Sequence, residues 1–422
     1  MIHGKTKIEL YNPNTRIKTV YRDENTFYAS HIANGMRNLG MADASPLNHD
    51  NMRNYPTWQE AVGGLFLFQN PISDGDNYMT AGNRMIGNAA MGITNGSDQN
   101  DPTEMGSYNA SESSATTSAI TQVYDFTTSQ ANGEISCVCL TSKTGGYIGY
   151  GNASGKIKPT KWSFTRGINL QNINIGIQEN YARRVATGNR VFWPYFDGNT
   201  LYIKTKIVPL TRATIFDNFE PVILSFDISE LHNKDYVGCI PSISDGKVII
   251  SRKAGTLAAG ATFYYIVFDP ETNTISEESI VNSSGEAISV TAGTTVQHGK
   301  VFIPNYPSKY YVFDKSTGIF EGIINSSGYD DYYALGMPNG MAMVLQNGEW
   351  AFYDTVNKTV YPTNGSDAYF YDSVSDMMTY NDRYDLCAYN CPLYLATINN
   401  LGSPVTKSAA QTMKVTYTLT AN

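Results

Sequence analysis

The segment His298–Ile323, HGKVFIPNYPSKYYVFDKSTGIFEGI, is the most informative stretch of the chain. It contains three runs rich in β-branched and aromatic residues, and short groups of Gly, Asn, Pro, Ser and Thr separate them. Such runs favour strands, and such short connections favour antiparallel neighbours. The next apolar run, YYALG, supplies a candidate fourth strand. The segment therefore predicts a four-stranded antiparallel unit.

The same pattern recurs along the middle of the chain. An aromatic residue followed by aspartate closes four segments, at Asp227, Asp269, Asp314 and Asp354, in steps of 42, 45 and 40 residues. Upstream of three of them, a turn dipeptide precedes an apolar run in DGKVIIS, HGKVFIP and NGMAMVL. A four-stranded unit repeating at about this interval is typical of a β-propeller blade. We predict an all-β fold with a β-propeller of about five to six blades in residues 151–399.

The repeated aspartates are interpreted as turn residues rather than catalytic carboxylates. Asp269 and Asp314 each precede a four-residue turn that ends in Asn273 or Gly318, residue types that tolerate a left-handed conformation. An aspartate in this position accepts backbone N–H groups across the turn. Asp354 fits the pattern less well, because its asparagine comes one residue earlier.

The two chain ends carry compatible strands. Lys5–Tyr11 and Arg16–Tyr21 alternate around the turn formers of Asn12–Thr15, which predicts a β-hairpin. Apolar and polar residues also alternate over Met413–Thr420, with no partner strand nearby in the sequence. The hairpin has the same period and an edge to fill, so we expect both chain ends to share one sheet.

Two short helices are predicted after the first hairpin. Apolar residues recur at helical spacing over Asn25–Leu39, and Thr57–Glu60 has capping-box spacing. We therefore predict two domains. A smaller β-rich docking module is formed by residues 1–150 and 400–422, with one or two short helices, and the propeller occupies the residues between them.

Two further local predictions concern the docking module. Residues 94–119 are almost free of large apolar groups and are expected to form a long loop or extended arm. Thr121–Thr127 and Ile135–Leu140 are predicted strands. Asn132-Gly133 lies between them and favours a tight hairpin.

Composition limits the function classes. The 422 residues carry a formal charge of −8, and 41% are hydrophobic but only 16% charged. No Lys/Arg-rich run is present, which disfavours a nucleic-acid-binding role. The first residues have no signal-peptide pattern, and no stretch approaches roughly 18 apolar residues. We expect synthesis in the cytoplasm without Sec export, and no membrane insertion.

Cysteines and histidines give no sign of a metal centre in the sequence. The five cysteines are an odd number, which disfavours a disulfide framework. Cys137 and Cys139 fall on one face of a strand and are interpreted as buried thiols, and Cys387 and Cys391 lack nearby histidines. No histidines stand at metal-ligand spacing, and His298 is interpreted as a turn residue. We expect no metal and no cofactor.

Catalytic motifs are also missing from the sequence. GNASGK at Gly151–Lys156 has the wrong glycine spacing for a phosphate loop, and no G-x-S-x-G is present. We therefore expect that the protein is not an enzyme. A propeller glycosidase is the alternative, because inner strands can bring carboxylates together around the axis. A solvated or calcium-loop role for the same residues is equally open. The candidate carboxylates are Asp367, Asp372, Asp376, Asp382 and Asp385.

Aromatic residues beside aspartates mark a candidate ligand site. They occur in the segments GYDDYYALG and SDAYFYDS, near predicted turns. Aromatic faces stack against sugar rings, and carboxylates accept hydrogen bonds from sugar hydroxyls. The predicted ligand-binding residues are Tyr329, Asp331, Tyr332, Tyr333, Asp367, Tyr369 and Tyr371.

Four segments resemble structural proteins of tailed bacteriophages, especially of long-tailed phages and prophages of Gram-positive and gut bacteria. They make up 72 of the 422 residues and carry no catalytic signature. They are HGKTKIELYNPNTRIKTVYRDEN (His3–Asn25), GSYNASES (Gly106–Ser113), VYDFTTSQANGEIS (Val123–Ser136) and YLATINNLGSPVTKSAAQTMKVTYTLT (Tyr394–Thr420).

The resemblance implies a virion component that is assembled in the host cytoplasm. The shared ends would attach to other virion proteins, and the variable middle would be exposed. We expect a tail or fibre protein that occurs as a homo-oligomer and binds host-surface carbohydrate. Two alternatives stay open, namely a polysaccharide-degrading propeller glycosidase of the virion and a collar or decoration protein without a receptor.

Overall fold

In the computed structural model, the described part of the chain consists almost entirely of strands and their turns. It comprises residues 2–26, 62–91, 106–141, 162–163, 185–187, 190–207, 222–232, 241–251, 255–290, 294–305, 309–325, 335–336, 338–346, 349–365, 370–372, 377–381, 386–389, 393 and 395–421.

The strands fall into three stretches of the chain. The first holds β1 (Ile2–Tyr11), β2 (Lys18–Thr26), β3 (Gly64–Phe68), β4 (Met85–Ala90), β5 (Ser107–Tyr108), β6 (Ser114–Ala115), β7 (Ala119–Phe126) and β8 (Gly133–Thr141). The second holds β9 (Trp162–Ser163), β10 (Val185–Thr187), β11 (Arg190–Asp197), β12 (Thr200–Ile207), β13 (Val222–Asp227), β14 (Pro241–Ser244), β15 (Lys247–Ser251), β16 (Thr256–Leu257), β17 (Thr262–Asp269), β18 (Thr274–Val281), β19 (Ile288–Ser289), β20 (Thr295–Gln297), β21 (Lys300–Asn305), β22 (Lys309–Asp314), β23 (Phe320–Asn325), β24 (Leu335–Gly336), β25 (Met341–Gln346), β26 (Glu349–Asp354), β27 (Thr359–Gly365), β28 (Phe370–Asp372), β29 (Met377–Asn381) and β30 (Leu386–Tyr389). The third holds β31 (Asn399–Lys407) and β32 (Thr412–Ala421).

The middle stretch folds as a β-propeller. Its four-stranded antiparallel sheets are, in chain order, β10-β11-β12-β13, β14-β15-β17-β18, β20-β21-β22-β23, β24-β25-β26-β27 and β28-β29-β30-β9. The inner strands β10, β14, β20, β24 and β28 contact one another in cyclic order, which closes a ring. The outermost strand of the last sheet is β9, which precedes β10, so both ends of the propeller meet in one blade. The predicted all-β propeller is confirmed, and the described part of the chain contains five blades.

The four repeated aspartates do not all end equivalent strands of their blades. Asp269, Asp314 and Asp354 end the third strands of their blades, but Asp227 ends β13, which is the fourth strand of the first blade. The prediction that all four close equivalent strands is therefore wrong for Asp227. An apolar strand followed by a turn gives the same local signal at either end of a blade, so the spacing alone cannot identify the strand.

Two-residue turns join the first two strands of successive blades. In Asp245-Gly246 the φ angles are 50° and 74°, and in His298-Gly299 they are 49° and 72°. Positive φ at both central residues is the geometry of the type I′ hairpin turn. His298 is therefore a turn residue, as its sequence position predicts.

The propeller core lies between neighbouring blades. On β17, Phe263, Tyr265 and Val267 pack with residues of the third blade, whereas Ile266 and Phe268 pack with residues of the first. Successive side chains of a strand point to opposite faces, so one apolar strand serves two interfaces. Burial of each such side chain is worth about 1.5–3 kcal/mol.

The two chain ends share one sheet, as predicted. β1 pairs antiparallel with β32, from Ile2 opposite Ala421 to Tyr11 opposite Thr412, and it also pairs with β2 in the predicted hairpin. The sheet order is β2-β1-β32-β7-β5, with β6 also on β7, and a second sheet has the order β31-β8-β3-β4. These two sheets are called the terminal module below. The buried side chains of its central strand β32 are Met413, Val415, Tyr417 and Leu419.

The predicted hairpin of β7 and β8 is wrong, although both strands form. β7 pairs with β32, and β8 pairs with β3 and β31 in the other sheet. Between them Ala131 has a φ of 50° and Gly133 a φ of 144°. The Asn-Gly dipeptide therefore lies in a connection between two sheets and not in a two-residue hairpin turn.

The other predictions for this region concern residues that the structure describes only in part. Residues 106–119, expected within a long loop, contain β5 and β6, and residues 94–105 lie outside the described residues. Asn25 and Thr26 belong to β2, so the helix predicted to begin at Asn25 begins too early. The rest of that helix and the predicted helix at Thr57–Glu60 lie outside the described residues.

The chain folds into two compact units. The first comprises Met1–Trp162, Tyr361–Gly365 and Asn390–Asn422, and the second comprises Ser163–Val360 and Ser366–Tyr389. The sequence prediction places the boundaries near residues 150 and 400. Among the described residues, no helix has the length and apolar character needed to span a membrane.

Candidate functional site

Most residues of the predicted ligand site lie outside the described part of the chain. Tyr371 is the exception and lies on the inner strand β28, opposite Met378 of β29. The described strands that precede the two segments, β23 and β27, are the fourth strands of successive blades and therefore end on the same side of the ring. The residues outside the description are Tyr329, Asp331, Tyr332, Tyr333, Asp367 and Tyr369.

The carboxylates of the turn aspartates accept hydrogen bonds from residues of their own turns. Oδ1 of Asp314 accepts the N–H groups of Ser316 and Thr317, each at 3.0 Å, and also both of their hydroxyl groups. The hydroxyl of Ser316 and the ammonium of Lys300, 3.0 Å away, hold the pKa of Asp314 well below its usual range. A carboxylate with such a low pKa stays ionised. It stabilises the turn as a hydrogen-bond acceptor and is a poor proton donor.

The same geometry recurs in the adjacent blades. Oδ1 of Asp269 accepts the N–H of Glu271 at 2.9 Å, and that hydrogen bond lowers the pKa of Asp269. Asp354 accepts the N–H groups of Val356 and Asn357 at 2.9 and 2.8 Å. The structural role predicted for these three aspartates is confirmed. The expected weaker fit of Asp354 is wrong, because the residue after its asparagine, a lysine, takes the left-handed φ of 56°.

One further carboxylate joins the second and third blades. Glu278 accepts the Tyr265 hydroxyl at 2.9 Å and pairs with Lys315 of the next blade at 2.8 Å. Burial by itself raises the pKa of Glu278, but the hydrogen bonds from Lys315 and Tyr265 hold it below its ordinary value. Burial and the Glu278 charge also raise the pKa of Tyr265. These groups form a fixed contact between blades.

The described inner strands are poor in acids. Their one carboxylate is Asp372, at the end of β28, and hydroxyl groups occupy several other positions. Ser242 and Thr295, at matching positions of β14 and β20, are both buried. Glycoside hydrolysis needs two carboxyl groups about 5–10 Å apart. The other proposed acids, Asp367, Asp376, Asp382 and Asp385, lie outside the described residues.

One histidine contact escapes sequence analysis because its members are 45 residues apart. Nδ1 of His232 lies 2.7 Å from Oε2 of Glu277, and the imidazole stacks on Tyr264 at a centroid distance of 4.5 Å. The backbone N–H of His232 also donates to the Glu277 carboxylate at 3.2 Å. The contact fastens the segment after the first blade to the second blade.

The cysteine pair is part of the core. Cys137 and Cys139 are fully buried on β8, with their Sγ atoms 3.5 Å apart, as the interpretation of buried thiols predicts. Burial and the neighbouring Cys137 raise the pKa of Cys139, which keeps the thiol protonated and unreactive. Among the described residues, no cluster of three or more potential metal ligands occurs.

A groove lies on the outer face of the first sheet of the terminal module. Its volume is about 430 Å³, and its polar lining includes Glu9, Lys18, Asp125 and Lys414. Tyr11 lies at one side and is partly exposed. The charges alternate in sign across four strands, an arrangement that stabilises cross-strand pairs and also presents polar groups to a partner.

Electrostatic interactions fix the side chains of this groove. Glu9 lies between Lys7, at 2.7 Å, and Lys18, so its pKa stays below the ordinary value although burial raises it. Lys414 pairs with Glu112, and this hydrogen bond raises the pKa of Lys414. The lowered pKa of Glu9 and the raised pKa of Lys414 keep these two groups charged at neutral pH. The groove therefore suits binding of a polar surface.

A second cavity of about 540 Å³ opens between the two sheets of the terminal module. It lies between β1 and β2 on one side and residues 401–405 of β31 on the other. Oδ2 of Asp23 accepts the N–H of Gly402 at 2.8 Å, which holds the bulged part of β31 against β2. Tyr21 lines the opening.

Comparisons with known proteins give structural similarities alone. No protein family and no curated protein matches the chain. The AfRom2 CNH domain is 8% identical with a TM-score of 0.25, covering 64% of this chain and 89% of that one. Glutaminyl cyclase of Myxococcus xanthus is 10% identical with a TM-score of 0.29, covering 50% and 88%. The WD40 domain of Toxoplasma gondii coronin is 9% identical with a TM-score of 0.28, covering 63% and 85%. Similarities this low indicate no function.

Proposed function

We propose that this chain is a structural protein of a tailed-bacteriophage particle, a tail or fibre component. The terminal module attaches it to other virion proteins, and the propeller binds carbohydrate on the host surface. One observation carries the proposal. The four phage-like segments, although spread from His3 to Thr420, supply strands of a single unit, namely β1, β2, β5, β7, the start of β8, β31 and β32.

The chain order also supports this division of labour. The propeller strands all lie between β8 and β31, so the propeller is an insertion into the terminal module. The pairing of β1 with β32 does not depend on which strands lie between them. A particle protein can therefore keep one attachment module and change its exposed domain.

Carbohydrate is the proposed target because of the aromatic and acidic residues in the blade-connecting segments. Rings stack on sugar faces, and carboxylates accept sugar hydroxyls. Each such site binds weakly, and several copies on one particle raise the overall affinity through effective concentration. Incubation of the full chain with host cell walls, with and without soluble wall fragments as competitors, measures this binding.

Complementation tests the attachment. A phage lacking the gene is supplied with the full chain or with a chain lacking Thr412–Asn422, and purified particles are analysed by mass spectrometry. The deletion removes β32 and should abolish incorporation while the propeller stays folded. Thr416→Ala, on the same strand, is the matched control and should be incorporated. Normal incorporation of the deletion variant would contradict the proposal.

Two measurements distinguish the proposed function from its alternatives. Release of reducing sugar from host wall by the full chain would favour a glycosidase, with Asp372 the inner-strand acid to substitute. Adsorption that survives removal of the propeller would favour a collar or decoration protein. We expect no sugar release and a loss of adsorption.

A further inference from the structure

The β1–β2 hairpin carries the exposed apolar side chains of the terminal module. Among the module's described residues, the large hydrophobic side chains that stay exposed are Tyr11, Ile17 and Tyr21, at 40%, 63% and 38%. All three lie on this hairpin or its turn. In the β1–β2 register Tyr11 lies opposite Lys18 and Tyr21 lies opposite Ile8, so the two tyrosines lie on opposite faces of the hairpin.

Among the described strands, β2 of this hairpin is the edge strand of its sheet. β2 is the last strand in the sheet order, and no backbone hydrogen bond reaches its outer side from any described residue. An edge of this kind is a template for another strand. The strand spans nine residues, Lys18–Thr26, which is long for an edge that no described strand covers.

The charges on β2 restrict how a second copy could pair with it. Two identical antiparallel strands are related by a two-fold axis perpendicular to the sheet, so each residue faces one on the same side. With the axis at Val20, Lys18 faces Arg22. With the axis at Arg22 or at Asp23, two like charges face each other directly. Each of these registers is disfavoured by like-charge contact.

The register with its axis at Tyr21 brings opposite charges together. We propose that β2 pairs antiparallel with β2 of a second copy of this chain, with the two-fold axis at Tyr21. Lys18 of each copy then faces Glu24 of the other, and the two Tyr21 rings are adjacent across the axis. On the opposite sheet face from these ion pairs, Thr19 faces Asp23.

The charged groups retain capacity for a second ion pair. The side chains of Lys18 and Glu24 are 55% and 70% exposed. Within the chain Lys18 contacts Glu9, and Glu24 accepts from Lys5 at 2.8 Å through one carboxylate oxygen. An ammonium group has three donors and a carboxylate two acceptor oxygens, so each can add a partner.

Charged edge strands generally oppose association, and here like charges disfavour the registers centred on Val20, Arg22 and Asp23. A single pair of strands buries less than the ~1,600 Å² of a standard interface. We therefore expect a weak dimer, with a dissociation constant on the order of 10–100 μM. Attachment of several copies to one assembly would strengthen it.

Disulfide trapping tests the position of the axis. In the full chain, Tyr21→Cys places two cysteines directly opposite each other, within the Cα separation that a disulfide allows. Mild oxidation should give a covalent dimer. Ile17→Cys is the matched control, because residue 17 faces residue 25 and lies far from its own copy. The unsubstituted chain controls for its native cysteines.

Charge exchange tests the register. Lys18→Glu and Glu24→Lys each oppose like charges in the homodimer and should weaken association at least tenfold in sedimentation velocity. An equimolar mixture of the two variants restores opposite charges at both positions and should associate as the unsubstituted chain does. This recovery also shows that both variants are folded.

Three outcomes would overturn the inference. The first is a monomeric chain at about 100 μM together with no Tyr21→Cys dimer. The second is equal trapping through Ile17→Cys, and the third is association unchanged in both charge variants. The inference concerns the isolated chain, so it stands or falls separately from the proposed role in a phage particle.

Discussion

The two units of the molecule differ in how far apart in the sequence their paired strands lie. In the terminal module the central pairing joins β1 to β32, from opposite ends of the chain. In the propeller each blade is built from strands that follow one another closely, and only β9 comes from a distance. Local hairpins form with little loop-closure cost, whereas the module requires both ends of the chain. The module should therefore be the unit most sensitive to changes at the termini.

Removal of Thr412–Asn422 should have the largest effect. It deletes the central strand β32 and four buried side chains, which together are worth roughly 6–12 kcal/mol. That equals the whole stability of an ordinary domain. Hydrogen exchange should show loss of protection in the module and retained protection in the blades. A synthetic peptide of residues 412–422 should restore protection in the module. Equal loss of protection in both units would show that they do not unfold separately.

Matched core substitutions should separate the two units. Phe126 in the module and Phe302 in the propeller are both buried. Phe→Ala at either site should cost about 3–5 kcal/mol, through lost burial and the cavity left behind. In differential scanning calorimetry, Phe126→Ala should lower the module transition and Phe302→Ala the propeller transition. If either variant lowered both transitions equally, the units would not be energetically distinct.

A buried lysine should give the module its own pH dependence. Lys407 is 1% exposed and donates to Oδ1 of Asn132 at 2.8 Å, and burial lowers its pKa to about 8. The unfolded chain, with a pKa of about 10.4, binds more protons above pH 8. Module stability should thus rise by roughly 2–3 kcal/mol from about pH 8 to 10.

Lys407→Met should abolish this rise, and Lys5→Met, at an exposed position, should retain it. Urea unfolding followed at several pH values measures both. A rise that persists in Lys407→Met would show that another group causes it.

Turn substitutions should have the smallest effects. Oδ1 of Asn12 accepts the N–H groups of Asn14 and Thr15 in the module hairpin, and Asp354 accepts two N–H groups in a blade turn. Asn12→Ala and Asp354→Ala should each cost roughly 1–2 kcal/mol. Each should shift only the transition of its own unit.

The acidic turn of Asp314 adds a pH signature. Its folded pKa is depressed, so its contribution to stability is present above the unfolded pKa of about 3.9 and is lost as the pH falls below it. The difference in melting temperature between the unsubstituted chain and Asp314→Ala should therefore shrink in acid. A difference independent of pH would exclude the charge as its cause.

Sequence reasoning succeeded where the fold is local or strictly periodic. The turn residues of His298-Gly299 and the aspartates at the ends of third strands predicted blades, and strict alternation in Met413–Thr420 predicted the terminal strand. It failed where one local pattern serves two topologies. Asp227 closes a fourth strand, and Asn132-Gly133 connects two sheets, although each carries an ordinary turn signal.

The site was less predictable than the fold. Glu277 and His232 meet only because neighbouring blades pack together, and the groove around Glu9 and Lys414 exists only because the chain ends pair. Neither juxtaposition leaves a motif with fixed spacing. The ligand-binding role of Tyr371 and its neighbours stays a prediction.

Cryo-electron microscopy of the purified phage particle would show which unit attaches this chain to the particle. Density for the terminal module should contact other particle proteins, with β1 and β32 paired at the attachment site and the five-bladed ring facing outward. Particles that lack this chain, or that hold it through the propeller with the paired termini exposed, would contradict it.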